Sequence, residues 1–320
     1  SVLHVSVAVE IKNELIPSLE LLEKELSAKA GEWADIVKIG RTHLMDATPL
    51  TLGQEFSGYA AQVKKGVQRA KKAIDALREL AIGGTAVGTG INCHRDFPRM
   101  VCDLLREKTQ IDFCEAANHF EAQGGRDDCV EVAGYLATIA TSLSKIANDV
   151  RLMASGPRSG FFEITLPATQ PGSSIMPGKV NPVMCEMLAQ VCIYTIGLCN
   201  MVVMCGRDGH FELNVNVPMM SYALHESVHC LSRACRVFAE SCIRGAIPNR
   251  ERCQELVERS LMLVTALNPY IGYDKAAYVA KRAFQEGRTL KDVVLEEGLM
   301  DLKTLEEALD PKSMTHPEGA

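Results

Sequence analysis

Long stretches of helical periodicity dominate this 320-residue sequence. Apolar residues recur at helical spacing over residues 120–154, 182–206 and 217–245, so these helices approach or exceed roughly twice the usual length of about 12 residues. Long helices joined by short connections pack antiparallel into bundles. We therefore predict an all-α fold built on a long-helix bundle, with wide apolar faces that pack against other subunits.

The remaining pattern is also mainly helical. Residues 2–33 read as a helix that is bent or broken at Pro17, residues 38–46 as a loop, and the dipeptide Thr48-Pro49 as the start of a helix that reaches residue 80. The segment Ile247-Pro248-Asn249 reads as a boundary. We predict a central long-helix domain at residues 1–247 and a small helical C-terminal domain at 248–320. Its shorter helices are expected at about 250–264, 274–286 and 289–297.

The charge of the chain excludes several classes of partner. The formal net charge is −6 and the pI is about 5.8, so neither a nucleic-acid footprint nor a polybasic membrane patch is present. The most apolar segment, residues 187–205, is interrupted by Gln190, Thr195 and Asn200. We expect no nucleic-acid or membrane partner, and we interpret this segment as a buried core helix.

The twelve cysteines form no CxxC pair. Cys185, Cys192 and Cys199 recur every seven residues and so share one helix face, as buried free thiols do. This usage favours a reducing compartment. His and Cys residues at metal-ligand spacing are absent, and no metal site is predicted.

A glycine-flanked loop, Pro171-Gly-Ser-Ser-Ile-Met-Pro-Gly-Lys-Val-Asn-Pro182, combines two hydroxyls, a lysine and an amide. Asn181 is a good N-cap and Pro182 fits the first helical position. A helix N-terminus beside a lysine and an amide holds carboxylates well. We predict that this segment, the 171–182 loop, closes on a small anionic substrate. The alternative is an ordinary surface loop before a capped helix.

Two further residues are candidates for chemistry. His43 lies in the segment Gly40-Arg-Thr-His-Leu-Met-Asp-Ala-Thr-Pro49, where a structural histidine is the alternative. Glu186 lies one helical turn beyond Pro182 and either orients an imidazole or merely favours the helix dipole.

Other features of the sequence support no functional prediction. The glycine-rich segment Gly83-Gly-Thr-Ala-Val-Gly-Thr-Gly90 lacks the spacing of a dinucleotide-binding loop. The histidines without a partner in the sequence are His94, His119, His210, His225 and His229.

Several motifs resemble one known family over essentially the whole chain. The 171–182 loop is similar to the signature loop of the fumarase/aspartase superfamily of lyases, and Gly40–Pro49, continued as Leu-Thr-Leu-Gly-Gln-Glu55, is similar to a second motif of that superfamily. The segment Gly209-His-Phe-Glu-Leu-Asn214 resembles class II fumarases more than aspartases. The resemblance also implies an N-terminal domain that this sequence does not contain.

The resemblance implies a mechanism and an assembly. It implies reversible hydration of fumarate to (S)-malate, with Ser173 as the base that removes the carbon proton. His43, oriented by Glu186, would activate water or protonate the leaving hydroxide. The substrate-binding residues would be Thr42, Ser174, Lys179, Val180 and Asn181. No metal or organic cofactor is implied.

The implied protein is a homotetramer whose active sites, which bind a small dicarboxylate, are shared between subunits. Cytosol and mitochondrial matrix are both compatible with a reducing compartment. Two alternatives remain open at this point. One is an aspartate ammonia-lyase, which performs the same chemistry with ammonia leaving. The other is a truncated, non-catalytic oligomeric scaffold.

Overall fold

The computed structural model describes residues 1–172 and 174–317. It divides into two compact units. The long-helix unit comprises residues 1–26, 59–152 and 166–245, and the hairpin unit comprises 27–58, 153–165 and the chain from 246 onward. These units are defined by spatial contacts, and the domain boundary after residue 247 stays a prediction.

Helices form most of the described chain. The α-helices are α1 (Val2–Glu10), α2 (Ile16–Glu32), α3 (Leu52–Ala76), α4 (Phe97–Thr109), α5 (His119–Gly124), α6 (Asp127–Met153), α7 (Val183–Arg207), α8 (Val217–Phe238), α9 (Arg250–Arg259), α10 (Asn268–Ile271), α11 (Tyr273–Glu286), α12 (Leu290–Glu296) and α13 (Leu302–Ala308). The π-helical segments are Ile11–Leu15 and Ala239–Ile243, and the 3₁₀ segments are Leu261–Leu267 and Ser313–Thr315.

The strands are short and pair two by two. They are β1 (Val37–Thr42), β2 (Met45–Thr51), β3 (Glu79–Leu80), β4 (Cys114–Glu115), β5 (Ile164–Thr165) and β6 (Ile247–Pro248). β1 and β2 are antiparallel, β3 and β4 parallel, and β5 and β6 antiparallel.

The predicted all-α fold with a long-helix bundle is confirmed. α3, α6, α7 and α8 contain 25, 27, 25 and 22 residues. The single helix predicted for residues 120–154 is wrong, because it is divided into α5 and α6. Asn118 caps α5 by accepting the N–H groups of Phe120 and Glu121, and Gly125 leaves the helix in an extended conformation.

α7 and α8 pack against each other in the long-helix unit. Cys185, Cys192 and Cys199 all lie on the buried face of α7, as the seven-residue spacing predicts. Burial raises the pKa of the Cys192 thiol to about 12 and that of Cys199 to about 11. These thiols therefore stay neutral and pack as small apolar groups.

The opposite faces of the same two helices are exposed and apolar. Ile193 is 70% exposed, Met204 63% and Tyr222 54%. Among the described residues, α7 is the one helix long and apolar enough to cross a membrane, and 39% of its most apolar window is buried. The prediction of a buried core helix therefore holds for one face of α7 only.

The π-helical segment at residues 11–15 lies directly before Pro17. Proline lacks an N–H group, and its ring clashes with the carbonyl four residues earlier in a regular helix. A wider turn precedes Pro17, and the chain stays helical through Pro17 to Glu32. A break at Pro17 is therefore wrong, and a bend there stays a prediction.

The loop predicted for residues 38–46 is wrong, because most of this segment belongs to the β1–β2 hairpin. Burial along β1 covers Lys38, Ile39 and Gly40, and β-branched side chains favour the extended backbone. The following helix begins at Leu52 and not at Thr48-Pro49. Thr51 and Gln54 form a reciprocal cap, with N–H to side-chain oxygen distances of 2.9 and 3.0 Å.

The hairpin unit has its own core. Its C-terminal helices bury Val279, Val293 and Leu305 in one cluster that also includes Ile39 of β1. The rings of Trp33 and Phe56 meet edge to face at 4.7 Å. The strand that leads to His43 is therefore anchored in an apolar core.

Candidate active site

The 171–182 loop is exposed at its described positions up to residue 180. Gly172 packs so closely on the chain that a Cβ atom there would overlap the carbonyl oxygen of Lys179. Gly178 has φ +81°, in the left-handed region that favours glycine. The two glycines thus bring the ends of the loop together beside Lys179. Ser173, the predicted base, lies outside the described residues.

The start of α7 lies directly beyond the loop. The N-cap is Pro182 and the first helical residue is Val183, so the prediction of Asn181 as N-cap is wrong by one position. Pro182 makes no side-chain cap, and the N–H groups of Val183 and Cys185 donate to the carbonyls of Asn181 and Pro182 at 2.9 and 3.0 Å. Asn181 and Glu186 are both half-buried, and the Glu186 N–H donates to the Pro182 carbonyl at 3.2 Å.

His43 occupies the two-residue connection between β1 and β2, which we call the His43 turn (residues 42–45). Thr42 pairs with Met45 in the register of the hairpin. His43 has φ 56° and Leu44 has φ 62°, the positive values that such tight hairpins require and that Gly and Asn normally supply. Each non-glycine residue in this region costs about 1–2 kcal/mol. Strain of this kind is typical of functional sites.

Two charged residues of β1, the strand that leads to this turn, form ion pairs with two glutamates. We call Lys38, Arg41, Glu55 and Glu163 the buried ion cluster. Lys38 Nζ lies 2.8 Å from Glu55 Oε2 and 3.3 Å from Glu163 Oε2. Arg41 NH1 lies 2.9 Å from Glu163 Oε1. Lys38 and Glu163 are essentially inaccessible, with side-chain exposures of 2% and 0%.

The predicted site residues fall into two groups. Thr42 and His43 lie together in the hairpin unit, and both side chains are exposed. Ser174, Lys179, Val180, Asn181 and Glu186 lie together in the long-helix unit. The pairing of His43 with Glu186 stays a prediction.

The hairpin unit also contains a large groove. A groove of about 1010 Å³ in the hairpin unit is lined by Arg250, Phe284, Arg288 and their neighbours, but not by Thr42 or His43. Within residues 1–172 and 174–317, no group of three or more His, Cys, Asp or Glu side chains is placed to hold a metal ion.

Sequence reasoning missed a polar contact in the long-helix unit. His225 Nε2 lies 2.8 Å from Ser6 Oγ, and His225 Nδ1 lies 2.5 Å from Glu10 Oε2. His225, for which the sequence shows no partner, therefore has two partners in the structure. The partners are more than 200 positions away in the chain, and only the packing of α1 on α8 brings them together.

Comparison with known proteins identifies the family. Residues 1–197 match the lyase family, and residues 263–316 match the family described as fumarase C C-terminus. The class II fumarate hydratase of Neisseria meningitidis is 49% identical over 315 residues, covering 98% of this chain and 68% of the relative. The chain belongs to the class II fumarases.

Other class II fumarases and their structures agree. The mitochondrial fumarate hydratase 1 of Arabidopsis thaliana is 50% identical over 317 residues, which are 99% of this chain and 64% of the relative. The chain thus spans about two thirds of the length of these relatives. The crystal structure of the class II fumarase from Schistosoma mansoni matches with a TM-score of 0.97 and 38% identity, covering 99% of this chain and 69% of that one.

Proposed function

We propose that this protein hydrates fumarate reversibly to (S)-malate. The observation that supports the proposal is the construction of the 171–182 loop, where Gly172 packs on the backbone carbonyl of Lys179 and the loop leads directly into the start of α7. We propose that the Lys179 ammonium, the Asn181 amide and this helix N-terminus act together on one ligand. A small dicarboxylate is the ligand that such donors suit.

The difficult step is removal of a proton from the carbon beside a carboxylate. The resulting aci-carboxylate carries additional negative charge, and preorganised donors stabilise charge as it develops. Lys179, Asn181 and the start of α7 supply those donors. Ser173 removes the carbon proton, and closure of the loop stabilises its alkoxide against water.

His43 handles the oxygen side of the reaction. An imidazole can both accept and donate a proton, so His43 serves as base in hydration and as acid in dehydration. Glu186 orients the ring, while Thr42, Ser174 and Val180 line the carboxylate site. The residues of this chain require no metal or organic cofactor for these steps.

We further propose a homotetramer in which each active site is assembled from several subunits. The exposed apolar faces of α7 and α8, with Ile193, Met204 and Tyr222, support this proposal, because soluble proteins cover such faces with other chains. Packing of α7 against other subunits also explains the apolar character of this helix without a membrane. The cytosol or the mitochondrial matrix is the proposed location, since relatives include mitochondrial enzymes.

The test is fumarate formation, measured by ultraviolet absorbance, from (S)-malate and in parallel from aspartate. The chain is assayed first as it stands and then extended by the N-terminal segment of the Arabidopsis relative. Turnover of malate in the extended protein supports the proposal. Turnover of aspartate alone identifies an ammonia-lyase, and absence of both activities in both proteins supports a scaffold.

A further inference from the structure

We propose that Glu163 is a positioning residue for His43 and acts through Arg41 and Lys38. The proposal rests on the proposed function, because it assigns Glu163 a role in the catalytic competence of the His43 turn. Glu163 is remote from His43 in sequence and is fully buried. It holds the strand that ends at the turn, and it touches no substrate.

The strand geometry shows how one carboxylate reaches both cations. Residues three apart in a regular strand point to opposite faces. The pairing of β1 with β2 is irregular between Ile39 and Arg41, because one residue separates them in β1 whereas two residues separate their partners Pro49 and Asp46 in β2. An irregularity of this kind increases the local twist of the strand pair, and Lys38 and Arg41 both contact Glu163, at 3.3 and 2.9 Å.

Glu163 is itself fixed by its main chain. Its N–H donates to the Met153 carbonyl at 2.9 Å, and its carbonyl accepts the N–H of Asn249 at 2.8 Å. The Cys253 thiol lies 3.7 Å from the same carbonyl, and burial raises the pKa of that thiol to about 12, so it stays protonated. The carboxylate therefore projects from a rigid point.

Arg41 transmits this constraint to the turn. Its guanidinium is held on one side by Glu163 Oε1 and stacks over the Phe161 ring at 4.0 Å. It precedes Thr42 and pairs with Asp46 in the hairpin register. A strained backbone conformation persists only where the surrounding structure holds it in place. Arg41, which is anchored in this way, lies two positions before the strained residues His43 and Leu44.

Stability alone does not explain the cluster. Replacing a buried ion pair by apolar side chains is often neutral or stabilising, so buried charges are weak evidence for a stabilising role. Glu163 Oε2 makes an ion pair with Lys38 but lacks a hydrogen bond of good geometry. These ion pairs therefore fit a role in positioning the end of β1 better than a role in stabilising the fold.

The experiment compares Glu163→Gln with Glu55→Gln in the full-length enzyme. Both variants remove a carboxylate that contacts Lys38, but the Glu55 side chain is 25% exposed, and its ion pair within the cluster is with Lys38 alone. We expect Glu163→Gln to lower kcat at least about tenfold with KM changed less than about twofold. Glu55→Gln is expected to stay within about twofold of the wild type. Equal losses in both variants, or no loss in Glu163→Gln, overturn the proposal.

A double-mutant comparison separates positioning from a general structural effect. In a His43→Asn background, Glu163→Gln is expected to cause no further loss of kcat, because its effect passes through His43. A fully additive loss overturns the proposal. If Glu163→Gln fails to fold, Arg41→Lys serves instead, since it keeps the charge but loses the planar fork. It is expected to show the same non-additivity with His43→Asn.

Hydrogen exchange provides a readout that does not depend on turnover. Glu163→Gln, or Arg41→Lys in its place, is expected to raise amide exchange in residues 42–46 while exchange in α6 stays unchanged. Unchanged exchange at the turn overturns the positioning role even if the enzyme is active. If the variant shows the expected rise in exchange relative to the wild type but the wild type turns over no malate, the proposed function is refuted and the positioning of the turn by Glu163 is not.

Discussion

The 171–182 loop is shaped by glycines at an exposed surface, whereas the His43 turn follows a strand, β1, whose charged side chains pair with the buried Glu163. In the loop, Gly172 permits a close backbone approach and Gly178 supplies a positive φ. In the turn, His43 and Leu44 adopt positive φ without glycine, and in the preceding strand Lys38 pairs with the buried Glu163.

The difference teaches that the two groups of predicted site residues meet different mechanical demands. A loop that closes on a substrate needs freedom to move, and glycine provides backbone freedom. A general acid–base must stay within hydrogen-bond reach of its target, so its backbone has to be fixed. Four predictions test this contrast.

Replacing Ser173 by Ala tests the chemistry of the loop and should have the largest effect. We expect kcat for malate to fall by roughly 10²–10⁴-fold, because a positioned base is lost. The circular dichroism spectrum and the thermal midpoint should match the wild type. Normal turnover would remove Ser173 from the mechanism.

Replacing Gly172 by Ala tests the closure of the loop. The added Cβ would overlap the Lys179 carbonyl, so the loop must open, and we expect kcat to fall about a hundredfold. Stability should change by less than about 0.5 kcal/mol because the loop is exposed. Gly178→Ala is the control, since its Cβ would meet open space and only the backbone strain of about 1 kcal/mol applies. Similar losses in the two variants would contradict the steric argument.

Lowering the pH should reduce the stability of the long-helix unit, which contains the 171–182 loop. Burial lowers the pKa of His4 to about 4 from 6.5, so the unfolded chain binds the proton first as the pH falls. The free energy of unfolding should therefore drop by about 3 kcal/mol between pH 6.5 and 4. Denaturant titrations at several pH values would measure this drop.

His4→Asn is the matched variant for this experiment, because asparagine offers an N–H donor for the Glu79 carbonyl that the His4 ring contacts at 2.9 Å. Asp128 is present in both proteins, so the difference in their free energies of unfolding reports the contribution of His4 alone. Burial raises the pKa of Asp128 to about 6, so its destabilising effect disappears as the pH falls. A pH-independent difference would refute the assignment to His4.

Replacing Leu44 by Asn tests the strain in the turn and should have the smallest effect. Asparagine tolerates positive φ, so we expect a gain of about 0.5–1 kcal/mol in the free energy of unfolding. Met45→Asn is the control, because Met45 is also 69% exposed but lies in β2. Equal stability changes in both variants would show that the turn is not strained.

The sequence allowed the long helices to be predicted because their apolar pattern continues over many turns. The shared face of Cys185, Cys192 and Cys199 followed from the same periodicity. The β1–β2 hairpin was missed, since Thr48-Pro49 resembles a helix start and a short strand leaves little pattern. The predicted N-cap, Asn181, was one position too early because local backbone geometry decides where a helix begins.

The site was only partly accessible from the sequence. His43, Lys179 and Glu186 could be named because they lie in recognisable local motifs. Glu163 could not, because its contact with Arg41 joins residues 122 positions apart. The contact of His225 with Ser6 and Glu10 escaped notice for the same reason. Tertiary contacts of this kind leave no local spacing to recognise.

The π-helical segment at residues 11–15 has a consequence for insertions and deletions. Each added residue rotates the following side chains by about 100° around a regular helix, and a widened turn absorbs one residue locally. Such a segment marks a place where the chain accommodates one residue more than a straight helix would. Removing one residue there would therefore shift Leu3, Val7 and Ser6 away from their present directions, and α1 would lose both its apolar contacts and its link to His225.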